Sequence, residues 1–145
     1  MNVYTIGFTK KSLREFIALL KKAKVDLVVD VRLNNSSQLA GYSKGTDLAF
    51  LLKEGFGIDY RHEIKLAPTK EILKRFKADD DWEQYTKDFV ALLKSRKVIV
   101  ELGKELMSKG TICLLCTEAT ANKCHRRLIA EYWAKELDGV EIFHL

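Results

Sequence analysis

Hydrophobic and polar positions along this chain follow two alternating periods, and each switch marks an element. "VYTIG" is a short β-rich run ending at Gly7. Apolar residues then recur at Leu13, Phe16, Ile17 and Leu20, the spacing of one helical face, behind Ser12 and Glu15 at capping-box separation. "DLVVDVR" is a near-continuous apolar strand, as expected of a strand covered on both sides. The polar stretch "LNNSSQLAGYSKG" has no period and is long for a connection in a small domain, which marks it as functional or disordered. From Thr46 a helix runs through Leu48, Leu51 and Leu52 and stops at Gly55, and "GIDYRH" reads as a short strand.

Pro68 and Thr69 open a further helix with Ile72, Leu73 and Phe76 inward. "DDDW" puts three carboxylates where the dipole of the next helix favours them, and Trp82, Tyr85, Phe89, Leu92 and Leu93 form its stripe. Val98, Leu102 and Leu106 mark another helix, ended by Gly110. "TICLLC" is a second buried strand, Asn122 or Thr120 caps the helix carrying Leu128, Ile129, Tyr132 and Trp133, and "VEIFHL" is a closing strand. Strands alternating with helices predict an α/β fold in one domain over residues 1–145, a layered, mostly parallel sheet with helices on both faces.

Composition narrows the class. A chain of 145 residues can bury its own core, and 47% apolar with 31% charged residues is a globular balance. No apolar run approaches the roughly 20 residues of a membrane span, and no signal-peptide pattern opens the chain, so no membrane and a cytoplasmic location are expected. Three cysteines, an odd number, argue for reduced thiols. Twenty-five basic against twenty acidic residues give a net charge of +5, which permits an anionic partner, nucleic acid included, without requiring one. Much of the excess sits on solvated faces, at Lys10, Lys11, Arg14, Lys21, Lys22 and Lys24.

In an open parallel sheet, ligands bind outside the carboxyl ends of the strands, and the polar groups gather there. Gly7 and Thr9 follow the first strand, Arg32, Asn34 and Asn35 the second, and Cys116, Thr117 and Glu118 the "TICLLC" strand. Cys113, Cys116, Cys124 and His125 have the look of zinc ligands, C-x2-C-x7-C-H. Yet 113 and 116 point to opposite faces of a strand, and adjacent helical residues diverge by about 100°. The set is therefore not assigned to a metal, and Cys113 is a small buried hydrophobe. Cys116 and Cys124 are the candidate thiols, against the plainer reading of thiols packed on the sheet. Cys124, in a first helical turn beside His125 and Arg126, is expected to be the more acidic. Cations at a helix start oppose its dipole, and Glu118 is the candidate to compensate them. Asp30 and Arg32 share a side of their strand, as an ion pair would. Arg127, Glu131 and Lys135 follow a solvated face, and no role is assigned to His62 or His144.

"YTIGFT", "VVDVR", "GIDY", "LLCTEA", "CHRRLIAEY" and the terminal "FHL" together resemble the domain of unknown function 488 (DUF488) family. "DVRLNN" and "LAPTKE" are similar to one subgroup of it. The resemblance implies weight for Gly7, Asp30, Arg32, Cys116, Glu118, Cys124, His125 and Arg126. It departs at Phe8, where the familiar pattern has a histidine. "VVDVR" before a loop is also similar to rhodanese-like domains, but neither Cys116 nor Cys124 stands at their cysteine-to-arginine distance from Arg126.

The expectation is a small anionic or phosphate-bearing ligand in a crevice between these loops. Arg32 and Arg126 hold the anion, Glu118 or His125 moves protons, and Cys116 or Cys124 is the thiol of a thiol-dependent enzyme. The segment from Asn34 to Gly45 covers the crevice as a lid. The alternative is a non-catalytic module for nucleic acid or protein. No cofactor and no oligomeric state follow from the sequence.

Overall fold

The apolar runs pair into one sheet. The computed structural model describes residues 1–145 apart from the side chains of 38–40. In it β1 (Asn2–Gly7), β2 (Leu27–Asp30), β3 (Asp59–His62), β4 (Ile112–Cys116) and β5 (Glu141–His144) lie parallel, in the order β3–β2–β4–β1–β5. Helices α1 (Leu13–Lys22), α2 (Gly45–Phe56), α3 (Lys70–Asp79), α4 (Trp82–Ser95), α5 (Ile99–Met107) and α6 (His125–Glu136) fill the connections. Every residue of β2 and β4 is buried, which is why both read as unbroken apolar runs.

Side-chain alternation divides the core in two. Val3, Leu27, Val29, Ile112 and Leu114 pack beneath α4, α5 and α6. Ile6, Val28, Cys113 and Leu115 pack against α1 and α2. Trp133, fully buried, ties α6 to α5 by donating its indole N–H to the Ile99 carbonyl at 2.9 Å.

The caps show where local chemistry decides. Ser12 accepts from the Glu15 N–H at 3.1 Å, Thr69 from Ile72 at 3.2 Å and Asp81 from Gln84 at 3.1 Å, each satisfying a free donor of a first turn. The second helix does not stop at Gly55. It runs to Phe56, and Gly57 closes it with φ 65°, a left-handed cap that favours glycine. The last helix is capped neither by Asn122 nor by Thr120, because Cys124 is its N-cap residue, extended at φ −135°, ψ 137°. Among the described residues, no helix is long and apolar enough to cross a membrane.

Candidate functional site

Parallel pairing brings the carboxyl ends of β1, β2 and β4 to one edge, with Gly7 opposite Cys116. At the end of β2, Asp30 is fully buried and Arg32 nearly so. A buried carboxylate needs pairing, and the guanidinium supplies it through two parallel bonds, Nε to Oδ1 at 2.9 Å and Nη2 to Oδ2 at 2.7 Å. The Tyr60 hydroxyl donates to the same carboxylate, and burial followed by that negative charge pushes its phenol upward. Arg32 also donates to the Ser43 carbonyl at 2.6 Å and lies over the Phe8 ring, its Cζ 5.3 Å from the centroid. Arg32 therefore brings donors with its charge already neutralised.

At the end of β4, Cys116 shares its face with Leu114, while Cys113 points into the opposite core. Burial drives the Cys113 thiol well up, as suits a small apolar residue. His125 begins α6 and reaches back to β2, its Nε2 2.7 Å from the Val31 carbonyl. A carbonyl only accepts, so Nε2 carries the proton and Nδ1 is the ring's acceptor, while the Cys116 sulfur lies 3.7 Å from Nδ1 and 3.9 Å from Nε2. The ring edge of Phe89, 5.4 Å away between centroids, holds the imidazole in place.

Cys124 completes the group: its sulfur, that of Cys116 and one His125 nitrogen lie within 4.8 Å of one another, all buried. The expected divergence of residues 124 and 125 does not occur, because Cys124 is extended and only His125 is helical. The expected order of acidity is reversed as well. A hydrogen bond from the Cys124 thiol holds the Cys116 thiol below its ordinary range against the effect of burial, with help from the Thr117 backbone N–H and the charge of Arg126. Cys124, as the donor and buried, is pushed up.

These three side chains form the floor of a cavity of about 400 Å³. Arg32, Leu33 and Asn34 make one wall, and Thr117, Glu118 and Lys123 another. The third comes from elements whose pattern does not mark them as part of a site: Pro68, Leu73, Phe76 and Lys77 at and in α3, and Tyr85 in α4. The signal was present, because α3 has an apolar side yet buries none of its residues fully. Its Leu73 and Phe76 face a hollow.

The other expected site residues lie elsewhere. Thr9 is stitched to the Thr117 carbonyl through its N–H at 3.2 Å and hydroxyl at 2.6 Å. Gly7 is a close-approach glycine, since a Cβ there would run into the Glu118 carbonyl. Asn35 donates to the Tyr60 hydroxyl at 2.9 Å and accepts from the Gly45 N–H at 2.7 Å. Arg126, fully buried, donates from Nη1 to the Glu118 carbonyl at 2.8 Å, and among the described residues its Nε and Nη2 have no partner. Glu118 thus meets Arg126 through its backbone, and its exposed carboxylate stands at the cavity rim.

Of the segment from Asn34 to Gly45, expected to act as a lid, the described residues divide between the cavity and the α1 layer. Tyr42 donates to the Lys11 carbonyl at 3.0 Å and packs on Phe16, which places it against the α1 layer. Among the described side chains of that segment only Asn34 lines the cavity, and the expectation for Gln38, Leu39 and Ala40 lies outside them. Leu73, Phe76 and Lys77 of α3 line the same cavity as Cys116.

Comparison with protein families matches residues 12–133 to the family described as "Domain of unknown function DUF488". No curated protein and no solved structure matches the chain.

Proposed function

The chain belongs to the DUF488 family, whose matched residues 12–133 include every residue of the cavity, and on that footing we propose that the cavity takes a small anionic, phosphate-bearing molecule for thiol-dependent catalysis. One observation carries this reading. The Cys116–Cys124–His125 cluster lies under a cavity of about 400 Å³, within the size range of small-molecule sites, whose rim bears Lys77 and Lys123 against the single carboxylate of Glu118.

The division of labour follows from charge and polarity. Lys77 and Lys123 supply net positive charge, and the N-terminus of α6 adds partial positive charge and free N–H groups. Arg32, neutralised by Asp30, contributes donors and orientation rather than attraction. Arg126 adds its field from beneath, where it bears on Cys116. Leu33, Pro68, Leu73 and Phe76 give the ligand's body an apolar wall, so the favoured ligand joins an anionic head to an apolar group. The thiol cluster is the reactive centre, and Glu118 at the rim carries protons to and from solvent.

Titration calorimetry with phenyl phosphate tests the reading, because this probe has both a dianionic head and an apolar ring. Saturable binding should weaken with added salt. The Lys77→Ala/Lys123→Ala double variant should lose at least tenfold in affinity, about 1.4 kcal/mol. Equal affinity in the double variant would remove the anionic-ligand reading. Salt-dependent binding of DNA or RNA that ignores these two lysines would favour the non-catalytic module instead.

A further inference from the structure

We propose that Cys116, Cys124 and His125 form an open Cys2His metal site for zinc or a similar borderline-soft divalent ion, with its fourth position facing the cavity. This inference rests on the reading of the cavity as the working site and states how its thiols act, as ligands.

The distances fit. Zn–S bonds of about 2.3 Å and Zn–N bonds of about 2.0–2.1 Å at tetrahedral angles put ligand atoms about 3.5–3.8 Å apart. Cys116 Sγ stands 3.7 Å from His125 Nδ1, and all three donor atoms lie within 4.8 Å of one another.

The surroundings fit as well. A metal-bound histidine usually donates its other N–H to a carbonyl or carboxylate, which fixes tautomer and orientation. His125 does this through Nε2 to the Val31 carbonyl at 2.7 Å, leaving Nδ1 as the donor atom to the ion. Two thiolates neutralise a divalent ion, so the loaded site adds no net charge beside the buried Arg126. Binding releases the two thiol protons to solvent as the two sulfur–metal bonds form. A structural site would be closed by a fourth side chain, but Cys113 points into the other core. The three ligands all line the cavity, so water or the ligand's anionic oxygen takes the fourth position, as in catalytic sites.

Tag-free full-length protein, stripped with chelator and reduced, is titrated with Co2+ and then with Zn2+. The inference expects one Co2+ per chain, an intense thiolate-to-cobalt charge-transfer band with tetrahedral visible bands, and stoichiometric displacement by Zn2+. Cys113→Ala should keep the spectrum. Cys116→Ser and Cys124→Ser should lose it, and His125→Gln should weaken binding at least tenfold. As a check that needs no variant, Zn2+ should raise the melting temperature of the wild type and shield both thiols from iodoacetamide. A wild-type protein that gives no charge-transfer band and no zinc-dependent protection overturns the metal site. The same titration includes phenyl phosphate on the stripped and on the zinc-loaded protein. Phosphate binding without metal binding removes this inference alone, whereas metal binding without phosphate binding in either form leaves it standing and removes the anionic-ligand reading.

Discussion

Arg32 and Arg126 are both buried arginines, and the difference between them is one of partners. Arg32 meets Asp30 through two side-chain bonds, so replacing it removes the counter-charge of a fully buried carboxylate and leaves it the Tyr60 hydroxyl and the backbone N–H of residue 32. Arg32→Met should lower unfolding free energy in urea by about 3–5 kcal/mol. Arg126 has no paired carboxylate among the described residues and one hydrogen bond, to the Glu118 carbonyl. Methionine at 126 gives up that bond and also relieves an unpaired buried charge, so its cost should stay within about 1 kcal/mol. A loss at position 126 as large as that at 32 would contradict this contrast. Gly7→Ala should cost about 1–3 kcal/mol, since a methyl there displaces the Glu118 backbone. At this scale the sequence made the Asp30–Arg32 pair legible, because a lone acid in an apolar strand needs a nearby partner. It did not make thiol acidity legible. Which of Cys116 and Cys124 donates depends on Cys124 being extended before the helix, and a one-residue shift of the helix start reverses the inference.

Helix α3 and strand β5 are the elements whose behaviour follows most directly from their contacts. The apolar side of α3 was readable from its period, but what that side faces was not, because a hollow and a core select the same residues. None of its residues is fully buried, and Phe76 leans on Tyr85 with centroids 4.8 Å apart. Amide exchange should be faster across Lys70–Asp79 than across α4 or β4, and phenyl phosphate should slow it. Protection of α3 equal to that of α4, with or without the probe, would mean that it does not move to admit a ligand. At the sheet edge, β5 is pinned by His144 Nδ1, 2.6 Å from the Thr5 hydroxyl. Burial, and then the charge of Arg126, lowers the His144 pKa from its ordinary value of 6.5. The folded state then binds fewer protons than the unfolded chain as pH falls below that value. Stability from this contact is complete above pH of about 6.5 and is lost on acidification. Melting temperature between pH of about 8 and 5.5 should therefore fall more in the wild type than in His144→Gln. Parallel losses in the two proteins would contradict this role for His144.

For the whole molecule, alternation of strands and helices sufficed to predict a parallel α/β sheet, since parallel neighbours need helical crossovers. Strand order was beyond the pattern, and it decides which strand-end groups meet. The end of β2 and the end of β4 are neighbours on the face beneath α4, so Arg32, Asn34, Cys116, Glu118, Cys124 and His125 line one cavity. Gly7 and Thr9 follow β1 to the other side of the Thr117–Glu118 backbone and brace it there. The part played by α3 was hidden for the same reason: Tyr42 finds Phe16 in the α1 layer, while Leu73 and Phe76 line the cavity with the thiols. The proposed function turns on this cavity, rather than the lysine-rich surface of α1, receiving the ligand. Amide chemical shifts of the 15N-labelled protein during titration with phenyl phosphate test it most directly. Binding in the cavity should give saturating shifts confined to residues 32–34, 73–77 and 116–125. Shifts centred on Lys21, Lys22 and Lys24, with residues 116–125 unmoved at saturation, would contradict it.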